Sequence, residues 1–517
     1  MSRRAAKRNR VVMASTSDLV PPAGGSFGAS TGLYPDPQES GQRGWRPTLN
    51  KDATEFLKQH RHAAMISDGR YIYSGSGMVS GAVRKLANYV VGAAWAPLYI
   101  GADDRFRAST KPLLARWANL CDVRGGVYDW RMGLRLASLC MDRDGDVFAI
   151  KRITPEGSPR IQWLEAHRVG SPTLGYSGVQ TVPKNPETAG YEGRFVSAGV
   201  IMDDDMKPVG YNILPPSADR YTNHKWNIFP ASDVVHFFDP EWHSQARGIP
   251  SVIRAVLDWY DLGETREAEK IGIKARSSIA YVEKNDSGRA PASALGGGNR
   301  NTSAEPQTQT IARGLIRYIK ASGEITSLDN NKPGEAWQNF MEYITRGAFA
   351  GMDLPYEFAW DASKLNGTSV RSMVGQVQRA VDNRIAVMHK PAMTLLQWAV
   401  AVYMSRGYIP FAEDWWNWDF STPPKFSVDI GRDSQNRRED FNVGIRTLSD
   451  IVGEDGGDVE SHCRARASDY LTAQKVAEEM KVPFSAIINP SGTFGDTADA
   501  AVLEAAQTIQ QAQEEQP

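Results

Sequence analysis

Residues 231–275 read ASDVVHFFDPEWHSQARGIPSVIRAVLDWYDLGETREAEKIGIKA, and the order of elements in this stretch decides the fold. With the preceding Phe229 and Pro230, its opening run FPASDVVHFF has the apolar and β-branched content of a strand. Gly248 and Pro250 end that run. From Ser251 to Ser278 the spacing predicts a single helix, on the order of 40 Å long at about 1.5 Å per residue. Nearly every third residue of it is charged: Arg254, Asp258, Asp261, Glu264, Arg266, Glu267, Glu269, Lys270, Lys274 and Arg276. Ile253, Val256, Leu257, Trp259, Tyr260 and Leu262 crowd the first half, so the apolar stripe is thin. A long helix that is polar on most sides either meets neighbouring helices through charge pairs or stands in solvent. The pattern points to an oligomer.

Upstream, residues 1–50 are rich in Gly, Pro and Ser without a sustained apolar period, and Arg3, Arg4, Lys7, Arg8 and Arg10 make the start basic. This composition reads as a disordered tail. No apolar core precedes Pro21 and Pro22, so it is not a secretory signal. Helices are predicted over Ser76–Trp95, with Ser76 as cap and an end near Pro97, then over Lys111–Leu120 and Val127–Met141. DGDVFAIKR (from Asp144) and PRIQWLEAHRV (from Pro159) alternate and read as strands. AGVIMDDDMKPVGYN, Ala198 to Asn212, reads as a hairpin turning at Asp203 to Pro208.

Downstream, residues 285–310 form a low-complexity loop, and RGLIRYIKASGEITSL reads as two short strands around Ser322 and Gly323. A helix is expected over Gly334–Gly351. Val370, Val374, Val377, Val381, Ile385, Met388, Ala392, Leu395, Ala399 and Val402 then define a long helix, capped by Thr368 or Ser369 and expected to kink or split at Pro391. Helices over Asn436–Val452 and Val459–Met480, and an Ala- and Gln-rich one from Asp496, complete a mainly helical α+β chain.

The 517 residues carry 59 Lys and Arg against 60 Asp and Glu. That balance argues against a protein that grips nucleic acid by blanket phosphate neutralisation, though not against DNA passing by. Cys121, Cys140 and Cys463 are too few and scattered for a disulfide framework or zinc knuckle. The apolar runs near Asn88–Ile100 and Leu395–Met404 fall short of the roughly 20 residues of a bilayer span, so no membrane crossing is expected. Phosphate-loop, dinucleotide, HExxH, paired CxxC and GxSxG motifs do not occur, and Gly75, Gly77 and Gly81 have the wrong spacing for a phosphate loop. No catalytic residue, metal or cofactor is assigned on this basis. Three constellations stay open. His236, Asp239, Glu241 and His243 offer metal-ligand chemistry, or mark a strand running into a turn. Asp203, Asp204 and Asp205 suit a cation or a hairpin tip. Trp415, Trp416 and Trp418 suit base stacking or a core.

The stretch quoted first resembles the segment of lambda-type portal proteins of tailed phages that runs from a strand, through Arg-Gly-(Ile/Val)-Pro, into the long stem helix; here Arg247, Gly248, Ile249 and Pro250 carry it. PGEAWQNFMEYITRGAFAGMDLPYEFAWDASKLNGTSVR resembles a second family segment through Pro333, Gly334, Phe340, Arg346, Ala350, Gly351, Leu354, Pro355, Tyr356, Glu357, Asn366, Ser369 and Arg371. NYVVGAAW, WANLCDVRGGVYDW, DGDVFAI and IQWLEAHRV fall in the family's order, so the likeness spans about residues 70–475. Gly367 stands where the family often has an aromatic, and Ile430-Gly431-Arg432-Asp433 replaces its Pro and Lys.

The resemblance implies a portal fold: a disordered tail at 1–50, a wing at 51–250, a first stem helix at 251–280, a clip at 281–325 and a second stem helix at 326–351. A tunnel loop and wing helices follow at 352–455, and crown-like helices at 456–517. It implies a non-enzymatic homo-oligomer, a twelve-fold ring at one capsid vertex of the virion, assembled in the host cytoplasm, through which double-stranded DNA is packaged and ejected. Its implied partners are the terminase large subunit, the major capsid or scaffold protein and head-tail connector proteins, with no membrane and no cofactor. Lys364, Asn366 and Arg371 become candidates for the DNA tunnel. Asp258, Glu264, Arg266, Glu267, Lys270 and Lys274 become candidate stem contacts between copies. Two alternatives are a metal-dependent enzyme centred on His236, Asp239 and His243, and a nucleic-acid-binding scaffold using the basic tail and the tryptophans.

Overall fold

The computed structural model describes residues 51–172, 180–215, 225–277, 279–285, 308–311, 314–320, 335–360, 366–426, 430–454, 459–484 and 487. It opens with a helical layer, α1 (Ala53–Phe56), α2 (Gln59–Gly75) and α3 (Gly77–Val91), followed by β1 (Pro97–Tyr99), α4 (Asp104–Leu120) and α5 (Trp130–Arg143). Side-chain caps set three of these starts: Ser76 accepts from the Val79 amide at 3.4 Å, Asp103 from Phe106 at 2.9 Å and Asp129 from Met132 at 2.6 Å. The Asp103 cap explains why α4 begins at Asp104 rather than Lys111, with Pro112 carried inside. Helix α2 was not expected. Its buried face is His62, Met65, Ile66, Gly69 and Ile72, and the His and Gly dilute the apolar period. Gly69 is required because a Cβ there would run into the Arg143 carbonyl.

Next come β2 (Asp146–Ile153), β3 (Pro159–Glu165), β4 (Gln180–Thr181), β5 (Phe195–Ser197), β6 (Val200–Met202), β7 (Pro208–Asn212), β8 (Ile228–Pro230) and β9 (Val234–Phe238). The β6–β7 hairpin forms as expected, with Val200 opposite Tyr211. FPASDVVHFF is two strands, not one. A single 3-10 turn at Ala231–Asp233 sends β8 into a five-stranded antiparallel sheet, order β4-β5-β6-β7-β8, and β9 into a second sheet, order β3-β2-β9.

A 3-10 turn at Ser251–Ala255 leads into α6 (Val256–Ser277). Strands β10 (Ile279–Asn285), β11 (Thr308–Ile311) and β12 (Gly314–Lys320) form a small sheet, order β10-β12-β11, with β10 parallel to β12. Most of the low-complexity loop and the Ser322-Gly323 turn lie outside the described residues. Helix α7 (Glu335–Ala350) returns beside α6, and α8 (Tyr356–Ala359) precedes α9 (Gly367–Ser405). Asn366, not Thr368 or Ser369, caps α9 by accepting from the Ser369 amide at 2.8 Å. Pro391 does not split the 39-residue helix, because Met388, Ala392 and Leu395 on both sides of it are clamped in the core. By length and composition α9 is long and apolar enough to cross a bilayer, unlike the shorter runs read from the sequence. In this fold its stripe Val377, Val381, Met388, Leu395 and Ala399 is buried in protein.

After β13 (Trp418–Phe420), Gly444 at φ 81° divides the helix expected over Asn436–Val452 into α10 (Ile430–Val443) and α11 (Leu448–Glu454); α12 spans Val459–Met480 as expected. The helix read from Asp496 lies outside the described residues. The main core joins the helical layer to the far end of the chain. Trp95 packs on Phe420 at 5.3 Å between ring centroids, Trp117 on Trp130 at 5.3 Å, and β1 pairs antiparallel with β13. Trp130→Ala should cost about 3–5 kcal/mol of unfolding free energy in urea titrations. Gly69→Val should lower the melting temperature, because its Cβ has no room between α2 and α5.

Candidate functional site

Helix α5 runs into β2 through Asp142-Arg143-Asp144-Gly145-Asp146, and all three carboxylates are buried. Burying an unpaired carboxylate is expensive, so each must find cations. Asp146 takes Arg247 of the Arg-Gly-Ile-Pro segment, through Nε to Oδ2 at 2.6 Å and Nη2 to Oδ1 at 3.0 Å. The remaining guanidinium N–H groups donate to the carbonyls of Val169 (2.9 Å), Ala198 (2.7 Å) and Ala166 (2.8 Å). All five donors of a side chain only 2% exposed are thereby used. The guanidinium also lies over Phe148, 5.1 Å from the ring centroid.

His236 Nε2 donates to Asp146 Oδ2 at 3.1 Å, and the imidazole stacks on Phe148 (4.2 Å) and Phe238 (4.3 Å). Burial alone would raise the Asp146 carboxyl, but the Arg247 charge and the His236 hydrogen bond outweigh it and hold the group well below the usual carboxylate range. Burial lowers the His236 imidazole, against the pull of Asp146, so it stays neutral.

Gly248 completes the lock. Its amide donates to Asp146 Oδ2 at 3.0 Å and its carbonyl accepts from His62 Nε2 at 3.0 Å. A Cβ at Gly248 would strike the Gly145 carbonyl, and Gly145 itself sits at φ 92°. Asp144 is gripped by two forks, Arg70 at 2.9 and 2.8 Å and Arg143 at 2.9 and 2.8 Å. Asp142 Oδ1 accepts from Ser251 Oγ (2.8 Å), at the base of α6, and from Arg384 Nη2 (2.7 Å), on α9. One turn therefore fixes α2, α9 and the root of α6.

The root of the α6–α7 pair has its own contacts. Arg254 bonds Glu241 and reaches Asp353 at 3.1 Å, where the backbone adopts φ 57°. Trp259 meets Phe349 edge-on at 5.2 Å. Near the end of α7, Arg346 bonds Glu342 (2.8 Å), approaches Glu357 (3.5 Å) and lies over Tyr356 (5.7 Å). Arg346, Tyr356 and Glu357 of the second matched segment thus form one cluster leading toward the start of α9.

The residues singled out by sequence fall in different places. Lys364 lies outside the described residues. Asn366 is spent on its cap and Arg371 is exposed near the start of α9, so no tunnel group is assembled from the described residues. Glu264, Arg266, Glu267, Lys270 and Lys274 are exposed on α6 and Asp258 is half-buried beside Gly347; none has an ion-pair partner among the described residues. Burial, then repulsion from Asp261, raises the Asp258 carboxyl.

His236, Asp239 and His243 do not gather: among the described residues no group of three or more His, Cys, Asp or Glu side chains could hold a metal ion. His236 is committed to Asp146. Asp203 Oδ1 closes its turn on the Asp205 (3.1 Å) and Lys207 (2.9 Å) amides. Trp418 is buried, with Nε1 on the Trp415 carbonyl at 2.6 Å, while Trp416 is exposed. Sequence reading missed the roles of Asp142, Asp144, Arg70 and Arg384. The available signal was acids at every second position where a helix gives way to a strand.

The family model described as phage portal protein, lambda family, matches residues 38–384. The chain belongs to the lambda family of phage portal proteins. Among solved structures, a chain of the virion of a native gene transfer agent particle is similar at 12% identity and a TM-score of 0.41, over 75% of this chain and 91% of that one. A chain of the neck of an empty gene transfer agent particle, computed with C6 symmetry, is similar at 12% identity and 0.41, over 77% and 94%. No curated protein sequence matches.

Arg247→Met should destabilise by about 3–5 kcal/mol, since it strands Asp146 without its cation. Asp146→Asn combined with it should cost less than the sum of the two single changes in a double-mutant cycle. The unfolded chain binds a proton at His236 as pH falls through about 6.5, the folded chain only lower, so stability is lost over that acid interval. His236→Gln keeps an N–H donor without titrating, and melting temperatures measured between about pH 7 and 5 should fall less steeply for it.

Proposed function

We propose that the protein is the portal subunit of a tailed-phage particle. Copies form a twelve-fold ring at one capsid vertex, and double-stranded DNA enters and leaves through its centre. The observation that carries this reading is the family match, which runs through the locked Arg-Gly-Ile-Pro turn, the α6–α7 pair and the start of α9. In this reading α6 and α7 are the stem, the β10-β12-β11 sheet belongs to the clip that faces the terminase large subunit, and the segment before α9 is the tunnel loop. Connector proteins later take the terminase's place, and the capsid or scaffold protein holds the rim. Nucleotide hydrolysis is left to the motor, and no catalytic residue or cofactor is assigned.

The bare stem supports a ring. Glu264, Arg266, Glu267, Lys270 and Lys274, with no ion-pair partner among the described residues, share the α6–α7 surface with exposed Ile271 on α6 and with Phe340 and Tyr343 on α7. A surface that mixes charged with apolar groups suits a heterologous contact, in which one side of each copy meets the other side of the next. A formal net charge of -1 per copy suits a channel that lets DNA slide, because many phosphate contacts would bind it tightly and salt-dependently.

Negative-stain images of purified protein should show closed rings; a strictly monomeric protein under assembly conditions overturns the proposal. Lys270→Glu should shift the population from rings to free subunits on size-exclusion chromatography. Lys364→Glu should leave rings intact and reduce the yield of DNA-filled particles, and normal yields would remove Lys364 from the tunnel.

A further inference from the structure

Three arginines from separate elements stand around the tight turn between β2 and β3. The turn is closed by the Gly157 amide, which donates to the Thr154 carbonyl at 2.8 Å, and by the Thr154 amide, which donates to the Ser158 carbonyl at 2.9 Å. Arg406, just after α9, lays its guanidinium against Gly157, so close that an added Cβ would sit 3.4 Å from its Cζ. Arg116 is on α4 beside Trp117, whose Nε1 donates to the Pro159 carbonyl at 3.1 Å. Arg160 follows Pro159 on β3. Tyr403, near the end of α9, feels the group: burial raises its hydroxyl, and the charges of Arg160 and then Arg116 draw it back down.

Positive charge gathers here without compensation. Arg116 and Arg406 are exposed, Arg160 is half-buried, and none of the three makes an ion pair among the described residues. Arg160 also stands directly opposite Arg152 across the β2–β3 pair, an arrangement of like charges that costs stability. The turn's one acid, Glu156, is lowered first by a hydrogen bond from Thr154 and last by the charge of Arg160. The fold gains nothing from this gathering, whereas an opposite charge brought from outside would relieve it.

The neighbouring surface narrows the partner. Tyr408 is 58% exposed, with its ring edge-on to Tyr403 at 6.0 Å, and Phe411 on the same connection is 73% exposed. Exposed Glu156 lies in the turn and exposed Glu413 two residues beyond Phe411. A nucleic acid carries a phosphate at every step and would bring some against these acids. A peptide can set carboxylates on the planar arginine forks and apolar side chains on the rings.

We propose that Arg116, Arg160 and Arg406, with Tyr408 and Phe411, bind an acidic peptide segment of a partner protein that also carries apolar side chains. The surface uses no residue of α6 or α7, so it goes beyond the ring and the DNA channel.

The test titrates the full chain into a fluorescein-labelled synthetic peptide of repeated Glu-Glu-Phe and follows anisotropy. Arg116→Glu, Arg160→Glu and Arg406→Glu combined should weaken binding by about 10-fold or more, while Arg131→Glu, at an exposed position on α5, should leave it unchanged. Arg160→Gln should weaken binding without lowering the melting temperature, because it removes a repulsion, and this separates lost binding from lost folding. No binding of the peptide, equal binding by the triple variant, or equal binding of an uncharged Gln-Gln-Phe repeat would overturn the proposal. A DNA oligonucleotide of the same charge that bound more tightly through these arginines would assign the surface to nucleic acid and overturn it as well.

Discussion

The buried pair between Asp146 and Arg247 is the constraint on which the other elements depend. It joins the first residue of β2 to the segment that launches α6, and its spare donors hold the carbonyls of Ala166 and Val169, just after β3, and of Ala198, in the β5–β6 turn. A buried ion pair gains little net free energy once desolvation is counted. What it supplies is a geometry. A point-charge lysine could neutralise Asp146 but could not satisfy the three carbonyls in the same plane.

Around that pair the acids at two-residue spacing divide the work. Asp144 binds α2 through Arg70, and Asp142 binds α9 through Arg384 while holding Ser251. Carboxylates at alternate positions thus place α2 and α9, far apart in sequence, against one turn. Gly145 and Gly248 make this possible by letting two backbones meet where side chains would collide.

Much of this architecture was legible because it rests on local signals. Ser76 and the periodicity after it gave α3, and the long apolar period gave α9 despite Pro391. The failures have physical causes. α2 hides its period behind His62 and Gly69, residues chosen for a hydrogen bond to Gly248 and for close approach to Arg143. The division of β8 from β9 is made by which sheet each strand joins, a non-local choice that alternation cannot reveal. At the candidate site, the Arg-Gly-Ile-Pro motif was visible as a resemblance, but its partner Asp146 lies about a hundred positions earlier, beyond any local pattern. Of the six α6 charges read as contacts between copies, Glu264, Arg266, Glu267, Lys270 and Lys274 are exposed and Asp258 is half-buried; a contact between copies leaves no local pattern by which one chain's sequence could pair them.

The saturated guanidinium also makes the base of α6 a fixed pivot. With every donor of Arg247 engaged and Arg254 tied to both sides of the root, the base has no spare bond with which to bend. Helix α6 then behaves as a lever: over the roughly 33 Å of its 22 residues, a tilt of about 5° at its base carries the β10-β12-β11 sheet by about 3 Å.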